Sequence, residues 1–181
     1  SQVKLPQAND GSNRLLLPPL LPTETSISVR SLVEPLIDRA KARANLQGRK
    51  WFSPTDWPTW MESRSTSEGV IAEIVANLLE NAFRYSPSHS SIGIEVTEKG
   101  ICIWDEGIPI NEVEREKIFD KGFRGESSLK ISGSGIGLAL ARDLARQVGA
   151  DLKLFVNPSE FQNSLPESGN AFVLIWDQND T

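Results

Sequence analysis

Asn77-Leu78-Leu79-Glu80-Asn81-Ala82-Phe83-Arg84-Tyr85 sets two asparagines and an arginine among apolar residues. It closes a segment, from about Thr66 to Arg84, in which Val70, Ile71, Ile74, Val75, Leu78, Leu79 and Ala82 recur at helical spacing. Ser86-Pro87 stops that helix. Asn77, Asn81 and Arg84 lie four and three residues apart, on one helical face beside the apolar stripe. An amide oxygen is a neutral hard ligand for Mg²⁺, and it leaves charge neutralisation to phosphate oxygens. A guanidinium on the same face can meet phosphate. The competing reading is a solvated polar face, which leaves two mid-helix asparagines unexplained.

Beyond this helix, Ile92, Ile94 and Val96 alternate as a strand face, and Ile101–Trp104 returns as a hairpin across Glu98-Lys99-Gly100. The return strand runs into Trp104-Asp105-Glu106-Gly107-Ile108-Pro109-Ile110. A carboxylate at a strand end accepts a hydrogen bond from an exocyclic amine such as that of adenine. Gly107 lets backbone approach a flat base. Alone, Asp-Glu-Gly also reads as a simple turn. Glu112–Phe119 reads as a short helix, and a polar loop follows. Gly133-Ser134-Gly135-Ile136-Gly137 then leads into a helix predicted over Gly135–Val148 and ended by Gly149. Glycines and the free N–H groups of a helix start suit phosphates. This is neither the dinucleotide fingerprint, since no strand directly precedes it, nor a Walker loop, since Gly-Lys-Ser/Thr is missing. In Ile118-Phe119-Asp120-Lys121-Gly122-Phe123-Arg124-Gly125, the two phenylalanines can anchor a mobile loop and Arg124 can reach phosphate. Lys130 reads as solvated charge.

Upstream, Ser26–Val29 is predicted as a strand, Ser31–Gln47 as a helix and Trp51-Phe52 as a strand. Trp57 and Trp60 lie in the loop 53–65, where core packing is expected and docking on another domain is the competing reading. Leu152–Val156 and Ala171–Trp176 are the last strands, joined by a loop that carries no readable motif. The order predicts an α/β (α+β) two-layer sandwich: a mixed sheet of about five or more strands with helices packed on one face.

Composition narrows the classes. The 181 residues suit one domain, read as residues 25–178 behind a proline-rich linker at 1–24, with 179–181 as a tail. A net charge of -5 argues against broad nucleic-acid binding. No apolar run is long enough to span a membrane. A single cysteine, Cys102, lies in an apolar run and reads as a buried, inert thiol in a reducing compartment. With only that cysteine and His89, zinc ligands are too few.

Taken in order, these segments resemble the ATP-binding catalytic domain of two-component sensor histidine kinases, in the superfamily shared with gyrase and the MutL mismatch-repair proteins. Asn77–Tyr85 resembles the N box, Trp104–Ile110 the first glycine box, Ile118–Gly125 the phenylalanine box and Gly133–Leu138 the second glycine box. The resemblance implies the Bergerat fold, with ATP and Mg²⁺ as cofactors. It implies that Asn81 ligates Mg²⁺ and Asn77 assists at the phosphates. Arg84 and Arg124 would contact phosphate, and Tyr85 and Phe119 would belong to the nucleotide pocket, Tyr85 on the adenine. Asp105 would read the adenine amine and Gly107 would lie under the base. Gly133, Gly135, Ile136, Gly137 and Leu138 would form the lid hinge and phosphate cradle.

Two departures stand out. Pro109 replaces the second glycine of the usual Asp-x-Gly-x-Gly, and Gly122 stands where many members carry a bulky residue. The acceptor histidine of such kinases is also missing, because His89 follows the N box and is not on a helix with Glu or Asp. The resemblance therefore implies a catalytic fragment of a cytoplasmic, homodimeric kinase. Its partners would be the dimerisation/phosphoacceptor domain of the same kinase and a downstream response regulator. An anti-sigma-factor-type serine kinase and a degenerate nucleotide-sensing module are the alternatives. A gyrase-type hydrolase is disfavoured, because Asn77 stands where its glutamate base would be.

Overall fold

The computed structural model describes residues 28–62, 68–122 and 137–176. Helix α1 is Val29–Leu46 and buries Val29, Val33, Ile37, Ala40 and Ala44, a stripe with helical period. Ser28 Oγ accepts the Ser31 N–H at 3.2 Å and caps it. The strand expected at Ser26–Val29 is therefore replaced, over its described half, by a helix start. A Ser-x-x-Ser cap outweighs a weak four-residue alternation. Ser26 and Ile27 lie outside the described residues.

Strand β1 is Trp51–Phe52, and helix α2 is Glu68–Tyr85, ending one residue beyond its expected limit. Strands β2 (Ile92–Val96) and β3 (Gly100–Asp105) form the expected hairpin. Helix α3, Leu138–Gln147, starts later than Gly135, with Gly137 as its N-cap. Strands β4 (Ala150–Phe155) and β5 (Asn170–Trp176) close the domain. The short helix expected over Glu112–Phe119 is two separate 3₁₀ turns, Glu112–Glu114 and Lys117–Phe119. Asn111 caps the first turn through Val113 N–H at 3.0 Å, and the chain turns again before an α-helix is established.

The five strands form one mixed sheet in the order β1-β2-β3-β5-β4, with only β1 and β2 parallel. Because strand side chains alternate, Ile92, Ile94, Val96, Ile101, Ile103, Leu152 and Leu174 face the buried stripes of the three helices. Full burial of each such side chain stabilises by about 1.5–3 kcal/mol. The other face carries Cys102, Trp104, Ala171 and Val173. The connection between β4 and β5, which had no readable motif, covers that face with Phe161 and Leu165. Glu95 is buried and accepts both the N–H and the hydroxyl of Thr55. Trp57 and Trp60 pack against the helical-face core. Trp60 donates to Thr97 O at 2.9 Å and lies 5.0 Å from the Trp176 ring. No described helix is long and apolar enough to cross a membrane.

Candidate functional site

The middle of the sheet ends at Asp105, the last residue of β3, which lies between Ile92 on β2 and Asn170 on β5. Its carboxylate is buried. Oδ1 accepts the Gly107 N–H at 2.7 Å, so the chain folds back over its own acid. A side chain at position 107 would not fit: a Cβ there would stand 2.5 Å from Asp105 Oδ1 and 3.3 Å from both Ser86 Cα and Pro87 Cδ. Gly107 thus lets the turn after β3 pack directly on the turn after α2. Burial pushes the Asp105 carboxyl up to about 6, against the opposing pull of the Gly107 N–H, the Arg49 charge and the Asn170 amide.

Helix α2 approaches that contact carrying the asparagines. Asn77 is buried, and among the described residues its Nδ2 has no hydrogen-bond partner. Such an orphan costs about 1–3 kcal/mol, so a ligand that satisfies it recovers that amount. Asn81 follows on the same face, half-buried. Arg84 turns to Glu80 at 3.3 Å, and Glu80 also holds Arg43 of α1 at 2.7 Å. The guanidinium expected at phosphate is therefore ion-paired one turn back along its own helix. Tyr85 ends α2 and is 39% exposed.

The remaining expected site residues are less closely gathered. Phe119 packs edge-on to Phe172 with centroids 6.4 Å apart, and the Arg142 guanidinium lies 4.5 Å over its ring. It therefore ties the second 3₁₀ turn to β5 and α3. Gly137 is exposed at the start of α3, and Leu138 is half-buried. Arg124, Gly133, Gly135 and Ile136 lie outside the described residues, as do Phe123 and Lys130.

Two residues that sequence reading passed over complete the geometry. Asn170 donates from Nδ2 to Ile108 O and accepts the Ile110 N–H at Oδ1, both at 2.8 Å. This amide straddles Pro109 and extends the β3–β5 ladder by one side-chain step. The N–H that proline lacks is not called upon, so the departure from glycine is accommodated. Arg49 is buried beside the turn after α2 and bonds to it repeatedly. No local signal marked either residue, because each acts through partners far away in the chain. The other departure has a local cause: Gly122 has φ +78°, a conformation that a bulky side chain disfavours.

The sandwich with an acid at the end of its central strand and amides on the adjoining helix defines a class. Residues 66–180 match the histidine kinase-, DNA gyrase B- and HSP90-like ATPase family, and the chain belongs to that family. Within it, the chain is similar to the sensor histidine kinase Hik2 of Thermosynechococcus vestitus, with 37% identity over 128 residues, 66% of this chain and 32% of that protein. It is similar also to the sensor-like histidine kinase SenX3 of Mycolicibacterium smegmatis, with 30% identity over 156 residues, 81% of this chain and 40% of that protein. The chain thus spans well under half the length of these curated relatives. In fold it matches the nucleotide-free catalytic domain of the histidine kinase ThkA, with TM-score 0.60 at 19% identity, covering 82% of this chain and 92% of that one. The mycobacterial sensor histidine kinase MprB gives TM-score 0.54 at 23% identity, covering 79% and 93%.

Proposed function

We propose that this domain binds Mg-ATP and donates the γ-phosphate to a histidine on a separate dimerisation/phosphoacceptor domain of the same kinase. The observation that carries the reading is the buried Asp105 carboxylate, backed by a glycine that no other residue can replace without displacing it. A buried acid with few compensating partners is costly in a purely structural role and useful as a selective acceptor. On this reading Asp105 accepts from the adenine amine, Gly107 leaves room for the base and Tyr85 packs on it.

The orphaned Asn77 amide and the half-buried Asn81 fit a phosphate and a hard cation. Neutral amides neither repel the phosphates nor compete with them for the metal. Asn81 would hold Mg²⁺, and Asn77 Nδ2 would donate to a phosphate oxygen. Mg²⁺ supplies charge neutralisation at the phosphate oxygens when bound. Arg84 would exchange Glu80 for phosphate, an exchange of one part-buried ion pair for a more highly charged partner. Arg124 and the segment Gly133–Leu138 would close over the phosphates. Phosphoryl transfer asks mainly for positioning and electrostatics, so the nucleophile and its base reside on the acceptor domain. The full protein would act as a homodimer on the cytoplasmic side and pass the phosphoryl group to a response regulator. The Asn170 hold on both sides of Pro109 supports an intact pocket over a degenerate one.

The test is calorimetric titration of the chain with Mg-ATP, followed by transfer of labelled γ-phosphate to an acceptor domain added in trans. Binding tighter than millimolar and label on a histidine are expected. Absence of binding in the presence of Mg²⁺ refutes the reading, and label on serine moves it to the serine-kinase branch.

A further inference from the structure

Arg49 is buried, yet among the described residues it has no acidic hydrogen-bond partner. Its fork is spent on neutral acceptors. Nε donates to Gln47 Oε1 at 2.8 Å. Nη1 donates to Ser86 Oγ at 2.7 Å, Pro87 O at 3.0 Å and Ser90 Oγ at 3.2 Å. Nη2 donates to Phe83 O at 3.2 Å and Ser86 O at 3.4 Å. The carbonyls belong to the last turn of α2 and the residues that leave it, where helical carbonyls lack intrahelical partners and the helix dipole is negative. Arg49 is therefore the C-terminal cap of α2, supplied from the turn between α1 and β1. The turn that it holds is the one whose Ser86 and Pro87 stand against Gly107.

We propose that Arg49 is a positioning residue for the nucleotide site: it holds the Phe83–Ser90 turn where that turn backs Gly107, and it supplies a positive charge that acts on Asp105. The proposal rests on the reading of Asp105 as the adenine acceptor. Two features of the residue suit the task. Only a guanidinium offers donors in three directions from one rigid plane, and a lysine ammonium would have to choose among these acceptors. The charge also persists on burial, because arginine does not give up its proton within the range in which proteins fold. Burial and the neighbouring Arg43 lower the Arg49 pKa, and Asp105 raises it. Among the described residues, the groups that bear on Asp105 are Arg49, the Gly107 N–H and the Asn170 amide, of which Arg49 carries a charge. A purely structural cap would stabilise α2 and leave nucleotide recognition untouched. A positioning residue couples the two.

The experiment is titration of the whole chain with Mg-ATP between pH 5.5 and 8.5, for wild type, Arg49→Met and Arg49→Lys. Arg49→Met is expected to bind more weakly throughout, with the deficit growing by about fivefold between pH 8 and pH 6 as Asp105 protonates more readily without its cation. Arg49→Lys is expected to keep the wild-type pH dependence and lose affinity, because its charge remains and its fork does not. A folded Arg49→Met chain with wild-type affinity and pH dependence overturns the proposal. If Arg49→Met does not fold, the lysine variant decides, and wild-type affinity in it overturns the clamp. If wild type itself binds no Mg-ATP, the nucleotide reading fails. Hydrogen exchange at Glu106–Ile110 then decides the positioning role: unchanged protection in Arg49→Lys overturns it, and faster exchange upholds it.

Discussion

Asp105 makes one group answerable to two measurements that move in opposite directions. Its carboxyl stands at about 6 in the folded chain, against 3.8 for an unburied aspartate. A gap of about two units corresponds to about 3 kcal/mol. Because the folded pKa lies above the unfolded one, the folded state holds the proton more tightly. This group's contribution to stability is thus greatest below about pH 4 and is lost as pH rises through 6. On the proposed reading nucleotide binding has the opposite sign: Gly107 N–H occupies Oδ1, and the second oxygen accepts from the adenine amine as a carboxylate but becomes a hydroxyl donor when the acid is protonated. Affinity should be level above about pH 7 and fall towards tenfold per unit below 6.

Asp105→Asn separates the two effects. The Gly107 N–H claims the amide oxygen and turns the NH₂ towards the base, where it meets the adenine amine donor to donor. The variant should gain up to about 3 kcal/mol of stability at pH 8, gain little at pH 4, and lose ATP affinity by about two orders of magnitude. GTP, which presents a keto oxygen, should suffer less. Denaturant unfolding across the pH range measures the first effect. Calorimetry with ATP, and competition by adenosine, which has no titrating phosphate, measures the second. A wild-type-to-variant stability gap that is equal at pH 4 and pH 8, or an adenosine affinity flat from pH 5 to pH 8, would rule out Asp105 as that titrating acceptor.

Three further outcomes are expected. Asn170→Ala removes both 2.8 Å bonds around Pro109 and should cost about 2 kcal/mol, with weaker Mg-ATP binding; a loss below about 0.5 kcal/mol in denaturant unfolding would show that Pro109 needs no such support. Asn81→Ala should change unfolding stability by less than about 1 kcal/mol and abolish the Mg²⁺ dependence of ATP binding; retained Mg²⁺ dependence in calorimetry assigns the metal elsewhere. Trp57, half-buried under the Arg30 guanidinium at 4.6 Å, should cost about 2–3 kcal/mol as Trp57→Ala while transfer by the folded variant stays normal. Lost transfer in a variant that still binds Mg-ATP would make this loop a docking surface.

The elements legible in the sequence are those whose signal is local. The apolar stripe from Val70 to Ala82 marked α2, and the alternation at Ile92, Ile94 and Val96 marked β2. Their periods are properties of a dozen residues or fewer. The same holds for the site: Asn77, Asn81, Asp105 and Gly107 stood out because each type is unusual at its place in a helix or strand end. Where two local readings competed over few residues, as at Ser26–Val29 and Glu112–Phe119, capping and turn chemistry overrode the pattern.

Arg49 and Asn170 belong to another category. Arg49 meets Ser86 across 37 residues, and Asn170 meets Ile108 across 62. These contacts exist because β1 lies beside β2 and because β5, not β4, lies beside β3. Hydropathy sets which face of a strand is buried but not which strand becomes its neighbour, since any of these apolar strands could cover the same area. Local pattern was enough to specify the layers, the helical asparagines and the acid at the strand end. Which cation and which amide hold the turns around that acid depends on strand order, because only strand order brings distant polar groups within hydrogen-bonding reach.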